Sequence, residues 1–331
     1  MSSQQQLLSA LSAKPGDFVE AAALVRAGLI ESRHRAIGAL VGPDGKLIAQ
    51  LGNTKRLIYP RSAVKPLQAV AMQRAGLKLA GAELAITTAS HQGTAGHIQL
   101  VEAVLAKGDL SSEALQCPVA WPGNPAARAA AKDQTRLAFN CSGKHAGFLA
   151  ASVSAGWSTR DYLSPSHPLQ QIVVEVLEEY SGEKIVNSTI DGCGAPLHTS
   201  TVEGLARAIG QFALRDRNIF DAMVENSWVV GDHGSSDDAV MRQTGFVAKI
   251  GAEGVFVIGT PEGHGVAVKV ADGSHRATAL IALELMRAEG LIPQEKFDEL
   301  FVELAPKVLG GDQIVGEFVL RNFGDNRSLA E

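Results

Sequence analysis

The chain places strand-type segments at its two ends and helix-type segments between them. Near the start, RAIGALV and KLIAQLG flank GPDG, a turn with proline and glycine where a hairpin uses them. In the last third, GFVAKIG, GVFVIGT and GVAVKVADG are short apolar runs split by AE and PEGH, and read as a meander of strands. Between about 64 and 230 the apolar spacing is helical, as in GHIQLVEAVLAKG, KHAGFLAASVSAG, HPLQQIVVEVLEEYSGE and TVEGLARAIGQFALR. A long helix (SHRATALIALELMRAEGL) follows the meander, then a polar stretch holding one more apolar run, QIVGEFVL.

Strands separated by such a long helical insert satisfy their edges most simply by meeting in one antiparallel sheet. The expected class is α/β (α+β): a sheet from about 18–60 and 240–290, a helical middle from about 61–235 covering one side, an N-terminal tail at 1–17 and a C-terminal extension at 291–331. Residues 18–331 form one catalytic unit, with a site expected in the crevice between sheet and insert.

Pro66 sharpens this picture. The run AVKPLQAVAMQRAGL is helical in period, yet proline fits only a helix's first turn, where its missing N–H would have no partner. The helix therefore begins close to Ser62, which places that hydroxyl in the positive field of a helix N-terminus.

Charge narrows the functional classes. The net charge is −5 and no Lys/Arg cluster stands out, which argues against nucleic-acid or membrane-surface partners. No run of about 20 apolar residues exists to span a membrane, and MSSQQQLLSALSAKPGDF lacks the basic start and apolar core of a signal peptide. The three cysteines, Cys117, Cys141 and Cys193, are too few for a disulfide framework. The expectation is a soluble cytoplasmic protein with reduced thiols, serving as metal ligands, as nucleophiles or as buried small hydrophobes.

Several stretches carry candidate chemistry, each with a plainer alternative. Ser62-Ala63-Val64-Lys65 has S-x-x-K spacing, which puts amine and hydroxyl on one helix face, so that a neutral lysine can take the serine proton. An N-cap serine beside a surface lysine has the same spacing, as at Ser181 and Lys184. Ser90 and His91, in the Gly-rich turn ITTASHQGTAGH, suit either a polar pocket edge or a capping turn. Lys269, mid-strand in GVAVKVADG, shares a face with Ala267 and Ala271 and suits a site wall or an ordinary outward lysine. In NCSGKHAG, Cys141 and Lys144 lie about one helical turn apart, while STIDGCGAPLH sets Asp191 and Cys193 in a glycine-rich loop. Two thiolates with one or two N/O ligands suit zinc; buried thiols and a capping loop are the alternative.

Taken together, Arg61-Ser62-Ala63-Val64-Lys65-Pro66, Ala89-Ser90-His91, Asn140 to Gly147, Asp191 to Pro196 and the KIGAEGV…VAVKVADG end resemble the rhizobial-type L-asparaginases (asparaginase II), in that family's order, over about residues 18–288. The resemblance implies a fold similar to serine β-lactamases and serine-dependent glutaminases, hydrolysis of L-asparagine to L-aspartate and ammonia, a homodimer, and a zinc ion near the active site. It implies Ser62 as nucleophile with Lys65 as its base, and Ser90 with Lys269 as a second Ser–Lys pair. It further implies Cys141, Lys144 and Cys193 as zinc ligands, and Arg61, His91 and Asp191 as substrate-pocket groups. Other outcomes compatible with the residues are a glutaminase, a β-lactam-type acyl hydrolase, or a non-catalytic zinc- or amide-binding protein. Two positions depart from the family pattern: Cys117-Pro118-Val119-Ala120-Trp121-Pro122 lacks the family's histidine, and Phe139 stands where an asparagine is usual.

Overall fold

In the computed structural model, which describes residues 3–321, the strand-type runs from both chain ends meet in one antiparallel sheet of eight strands. The order across it is Val308–Gly310, Gln313–Leu320, Val19–Arg26, Leu29–Val41, Gly265–Val270, Val255–Gly259 and Val247–Gly251. Leu47–Leu51 pairs with the far end of Leu29–Val41, closing the hairpin over the GPDG turn. The junction between the two chain ends is continuous, with Val266 opposite Leu40 and Val270 opposite Ala36.

The two ends of the chain depart from expectation. The C-terminal stretch is more than an extension: its apolar run QIVGEFVL enters the sheet beside Val19–Arg26. That run presents backbone donors which the N-terminal strand's open edge needs. Residues 322–331 of the expected extension lie outside the described residues. Most of the expected N-terminal tail is likewise built in, as a helix over Ser3–Leu11 and a tight turn over Pro15–Asp17. An Arg56–Asp17 ion pair at 2.9 Å and an Arg56 Nη1 bond to the Ala10 carbonyl at 2.6 Å tie both to the body.

Helices cover the sheet on both faces, which is why Val255–Gly259 is buried along its whole length. Gly265 and Gly38 point to opposite faces, since Gly38 lies opposite Val268 and successive residues alternate. On the Gly265 face lies Val202–Arg215: a Cβ at Gly265 would sit 1.9 Å from the Ala206 carbonyl oxygen, so only glycine admits the helix this close. On the Gly38 face lies Thr278–Ala288, whose Leu285 reaches that glycine. Val202–Arg215 starts where Thr201 accepts the Gly204 N–H at 2.8 Å, and it buries Leu205, Ile209 and Phe212. The helix Ser142–Ser154 is buried from Ser142 through Ser152, and its glycines and alanines allow neighbours to close around it. Among the described residues no helix is long and apolar enough to cross a membrane.

Candidate active site

The turn Arg61–Val64 runs directly into the helix Lys65–Arg74, with Pro66 in its first turn. Arg61 has φ +54, a left-handed conformation that costs a non-glycine residue on the order of 1 kcal/mol or more. The end of strand Val247–Gly251 presses against this turn. A Cβ at Gly251 would lie 2.4 Å from the Pro60 carbonyl oxygen and 3.0 Å from the Ala63 nitrogen, so a glycine there sets how closely the sheet approaches Ser62. Ser62, Lys65, Arg61, Lys144 and Asp191 line one small niche. The Ser62 hydroxyl makes no hydrogen bond among the described residues.

Lys65 is 2% exposed. Its ammonium donates to the Ser90 hydroxyl at 3.0 Å and to the Ala89 carbonyl. Burial pushes its pKa down, the Cys141 sulfur opposes that, and the Lys249 and Lys144 ammoniums push further down. A lysine with a weakened hold on its proton, beside one serine and one helical turn from another, is equipped to move protons.

The structure separates Ser90 from Lys269. Lys269 donates to the Glu253 and Val270 carbonyls, each at 2.6 Å, on the wall of a larger cavity; the lysine at Ser90 is Lys65. The second buried lysine is Lys249, on Val247–Gly251, 0% exposed and paired with Asp237 at 2.9 Å. The Asp237 carboxylate also accepts the Ile250 N–H at 2.8 Å. Sequence reading passed over Lys249, although KIGAEGV contains it. Lys249 and Lys269 are each one lysine within an apolar strand, and alternation alone does not say which is covered.

His91 is a positioning residue. Its Nδ1 accepts the Gly93 N–H at 3.1 Å, so the proton sits on Nε2, which donates to the Ser142 hydroxyl at 2.9 Å. Ser142 in turn donates to the Leu137 carbonyl. With both ring nitrogens engaged and 1% exposure, His91 has nothing left for a substrate; burial keeps it neutral. It ties the Ser90 loop to the start of the Cys141 helix.

Cys141, Lys144 and Cys193 come together, as the family resemblance implied. Lys144 donates to the Cys193 sulfur at 3.0 Å, from the first turn of the helix to the loop between Ser188–Ile190 and Pro196–His198. Cys141 is held well below the usual thiol range by its hydrogen bond with Cys193, despite burial, and by the Lys65 and Lys144 charges; Cys193 is raised by the same hydrogen bond and by burial. Burial lowers Lys144, and the charges of Cys193, Cys141 and Asp191 outweigh it to leave its pKa raised. Among the described residues no three His, Cys, Asp or Glu side chains converge on a metal site. The cluster is two sulfurs and one amine, a buried donor set that suits a borderline-soft cation once the amine is deprotonated. Cys117 stands apart: burial pushes its thiol up to about 11, and it donates to the Arg136 carbonyl at 3.7 Å.

Arg61 and Asp191 form the mouth of the niche, with Nε donating to Oδ1 at 2.7 Å; the same oxygen accepts the Gly192 N–H at 2.8 Å.

Comparisons with known proteins agree with this arrangement at the level of family. The model of the family described as L-asparaginase II matches residues 22–320. No curated protein matches the chain in sequence. Among solved structures, the native form of Mglu is 14% identical, with 86% of this chain and 70% of that one covered and a TM-score of 0.44. A Bacillus glutaminase is 14% identical, with 77% and 91% covered and a TM-score of 0.42.

Proposed function

Because the chain belongs to the L-asparaginase II family, we propose that this amidohydrolase cleaves the side-chain amide of L-asparagine, with Ser62 as nucleophile and Lys65 as proton acceptor. The observation that carries the reading is the buried Lys65 ammonium, bonded to Ser90 at 3.0 Å and sharing the niche of Ser62.

The Ser62 oxygen attacks the amide carbon as Lys65, in its neutral form, takes the hydroxyl proton. Ser90, bonded to the same nitrogen, passes that proton to the departing amide nitrogen, which leaves as ammonia. An aspartyl ester remains on Ser62; water, deprotonated by the same lysine, hydrolyses it. Lys249, held by Asp237, contributes a fixed positive charge that keeps Lys65 poised to lose its proton. Arg61 holds Asp191 at the mouth, where a carboxylate matches the α-ammonium of an amino-acid substrate.

Cys141, Cys193 and Lys144 are the residues that would hold zinc, which when bound supplies a positive centre for orienting polar groups in the niche. Its two sulfur ligands offset most of its charge, so acidifying water is not the role assigned to it.

The test is ammonia release from L-asparagine and L-glutamine at equal concentration, with wild type and Ser62→Ala. Release from asparagine that vanishes in the variant supports the reading. Release chiefly from glutamine keeps the mechanism and changes the substrate, since one methylene is worth only about 1–3 kcal/mol. Full turnover by Ser62→Ala removes Ser62 as nucleophile.

A further inference from the structure

Beyond the niche the chain forms a solvent-open cavity of about 780 Å³. Cavity and niche share Arg61, Asp191 and Leu197, so the larger space opens from where the amide would react. Pockets that bury drug-sized ligands measure about 300–1,000 Å³, and a free amino acid would leave most of this one to water. Leu8 and Ser12, at the N-terminal helix, help line it.

The cavity's charges are unevenly matched. Arg61 is neutralised by Asp191, and Glu253 is the other carboxylate on the wall. Lys14, Arg35 and Lys269 also line it, and among the described residues none of the three forms an ion pair with a carboxylate. Lys269 gives two of its three N–H bonds to backbone carbonyls, and Arg35 gives one of its five to the Phe18 carbonyl. Sheet register brings these two cations together. Ala271 donates to the Arg35 carbonyl and Lys269 lies opposite Ile37, so Arg35 and Lys269 are diagonal neighbours on one face. Such neighbours lie roughly 7–8 Å apart, within joint reach of a single carboxylate for side chains this long. Glu253 and Asp272 act on Lys269 through space but make no ion pair with it, and a cation pair with no carboxylate in direct contact, on the wall of a cavity too large for the smallest substrate, suits a second anionic group on the ligand.

We propose that Arg35 and Lys269 form a carboxylate subsite, and that the substrates include short asparaginyl peptides whose C-terminal carboxylate lies one residue beyond the amide-bearing residue. This rests on the amidohydrolase reading above and extends it. The side-chain amide is cleaved as in the free amino acid; the peptide bond stays intact, and the distal carboxylate anchors the rest of the ligand.

The experiment compares ammonia release from asparagine, from asparaginyl-glycine and from asparaginyl-glycinamide, which differ at the distal end. In parallel, calorimetry measures binding of the two dipeptides to the Ser62→Ala protein, where turnover is removed. The expected result is at least a tenfold higher kcat/KM for the free acid than for its amide. That ratio falls close to one in Lys269→Met and in Arg35→Met, and binding to Ser62→Ala shows the same preference. Equal rates and equal affinities for the two dipeptides overturn the subsite while leaving turnover of free asparagine intact. Absence of ammonia from every amide overturns the amidohydrolase reading instead, and the binding comparison then decides the subsite by itself: preference for the acid upholds it, equal affinity ends it.

Discussion

The Lys65 ammonium lies 3.0 Å from the Ser90 hydroxyl, 25 residues further along the chain, while helix spacing places the same lysine over Ser62. One lysine therefore lies one helical turn from Ser62 and is bonded to Ser90, and among the described residues no other basic side chain bonds to either hydroxyl. Lys65→Met keeps the apolar stem and removes the proton acceptor. The expected outcome is a fall in kcat of about 10²–10⁴-fold with the circular dichroism spectrum retained. Ser90→Ala should cost less, because Lys65 still reaches Ser62. Turnover by Lys65→Met within a factor of ten of wild type would remove Lys65 from the chemistry.

Gly251 sets the distance between sheet and nucleophile turn, since an added Cβ would meet the Pro60 carbonyl oxygen at 2.4 Å. The obstruction is backbone on both sides, so neither partner yields by a rotamer change. Gly251→Ala should destabilise by about 1–3 kcal/mol and should lower kcat more than stability alone explains, by moving Ser62. Denaturant midpoints measured beside steady-state rates separate the two effects. Unchanged kinetics would show that the turn tolerates displacement.

Lys249 and Asp237 are 0% and 1% exposed. Removing the acid alone leaves a charge buried without its partner, so Asp237→Ala should cost about 3–5 kcal/mol of folding free energy. The double variant Asp237→Leu/Lys249→Met should recover most of that stability and none of the activity. Urea unfolding of both variants is the measurement; equal destabilisation of the two would mean the pair is held by its hydrogen bonds rather than its charge balance.

Acid sensitivity should arise in part at Glu179. Its carboxyl is pulled to about 2, first by the Arg74 hydrogen bond and then, against some burial, by Arg215. A folded-state pKa below the unfolded value of 4.5 means the stabilisation is complete above about pH 4.5 and is lost as pH falls toward 2. The side chain is 40% exposed, so solvent screening limits the effect to about 1 kcal/mol at most. Glu179→Gln should flatten the pH dependence of thermal midpoints over that window alone; an unaltered acid limb would assign it elsewhere.

Metal binding by the two-cysteine, one-lysine cluster has a readout apart from activity. After reconstitution with zinc and dialysis, elemental analysis should find about one equivalent per chain. Cys193→Ser should lose it, as should Lys144→Met, with secondary structure retained in both. Retention of zinc by Cys193→Ser would place the ion at other ligands.

Local order was legible in the residues. Short apolar runs between turn residues marked the strands, 3.6-residue periods the helices, and Pro66 pinned a helix start beside Ser62, because backbone chemistry and side-chain spacing act within a few residues. The grouping of Cys141, Lys144 and Cys193 followed from the family resemblance rather than from spacing, since 49 residues separate Lys144 from the Cys193 sulfur it meets. The recruitment of QIVGEFVL into the sheet was not legible, because an apolar run carries no mark of which edge is vacant. Nor was the choice of lysine. Lys249 and Lys269 sit in near-identical strand surroundings, and alternation assigns each a face without saying what covers it. Only packing decided: the Ser62 turn and Asp237 closed over Lys249, while Lys269 was left on a cavity wall and Ser90 was brought to Lys65. Those pairings join residues far apart in the chain, and their energies exist only once the sheet, the turn and the buried helix have excluded water together.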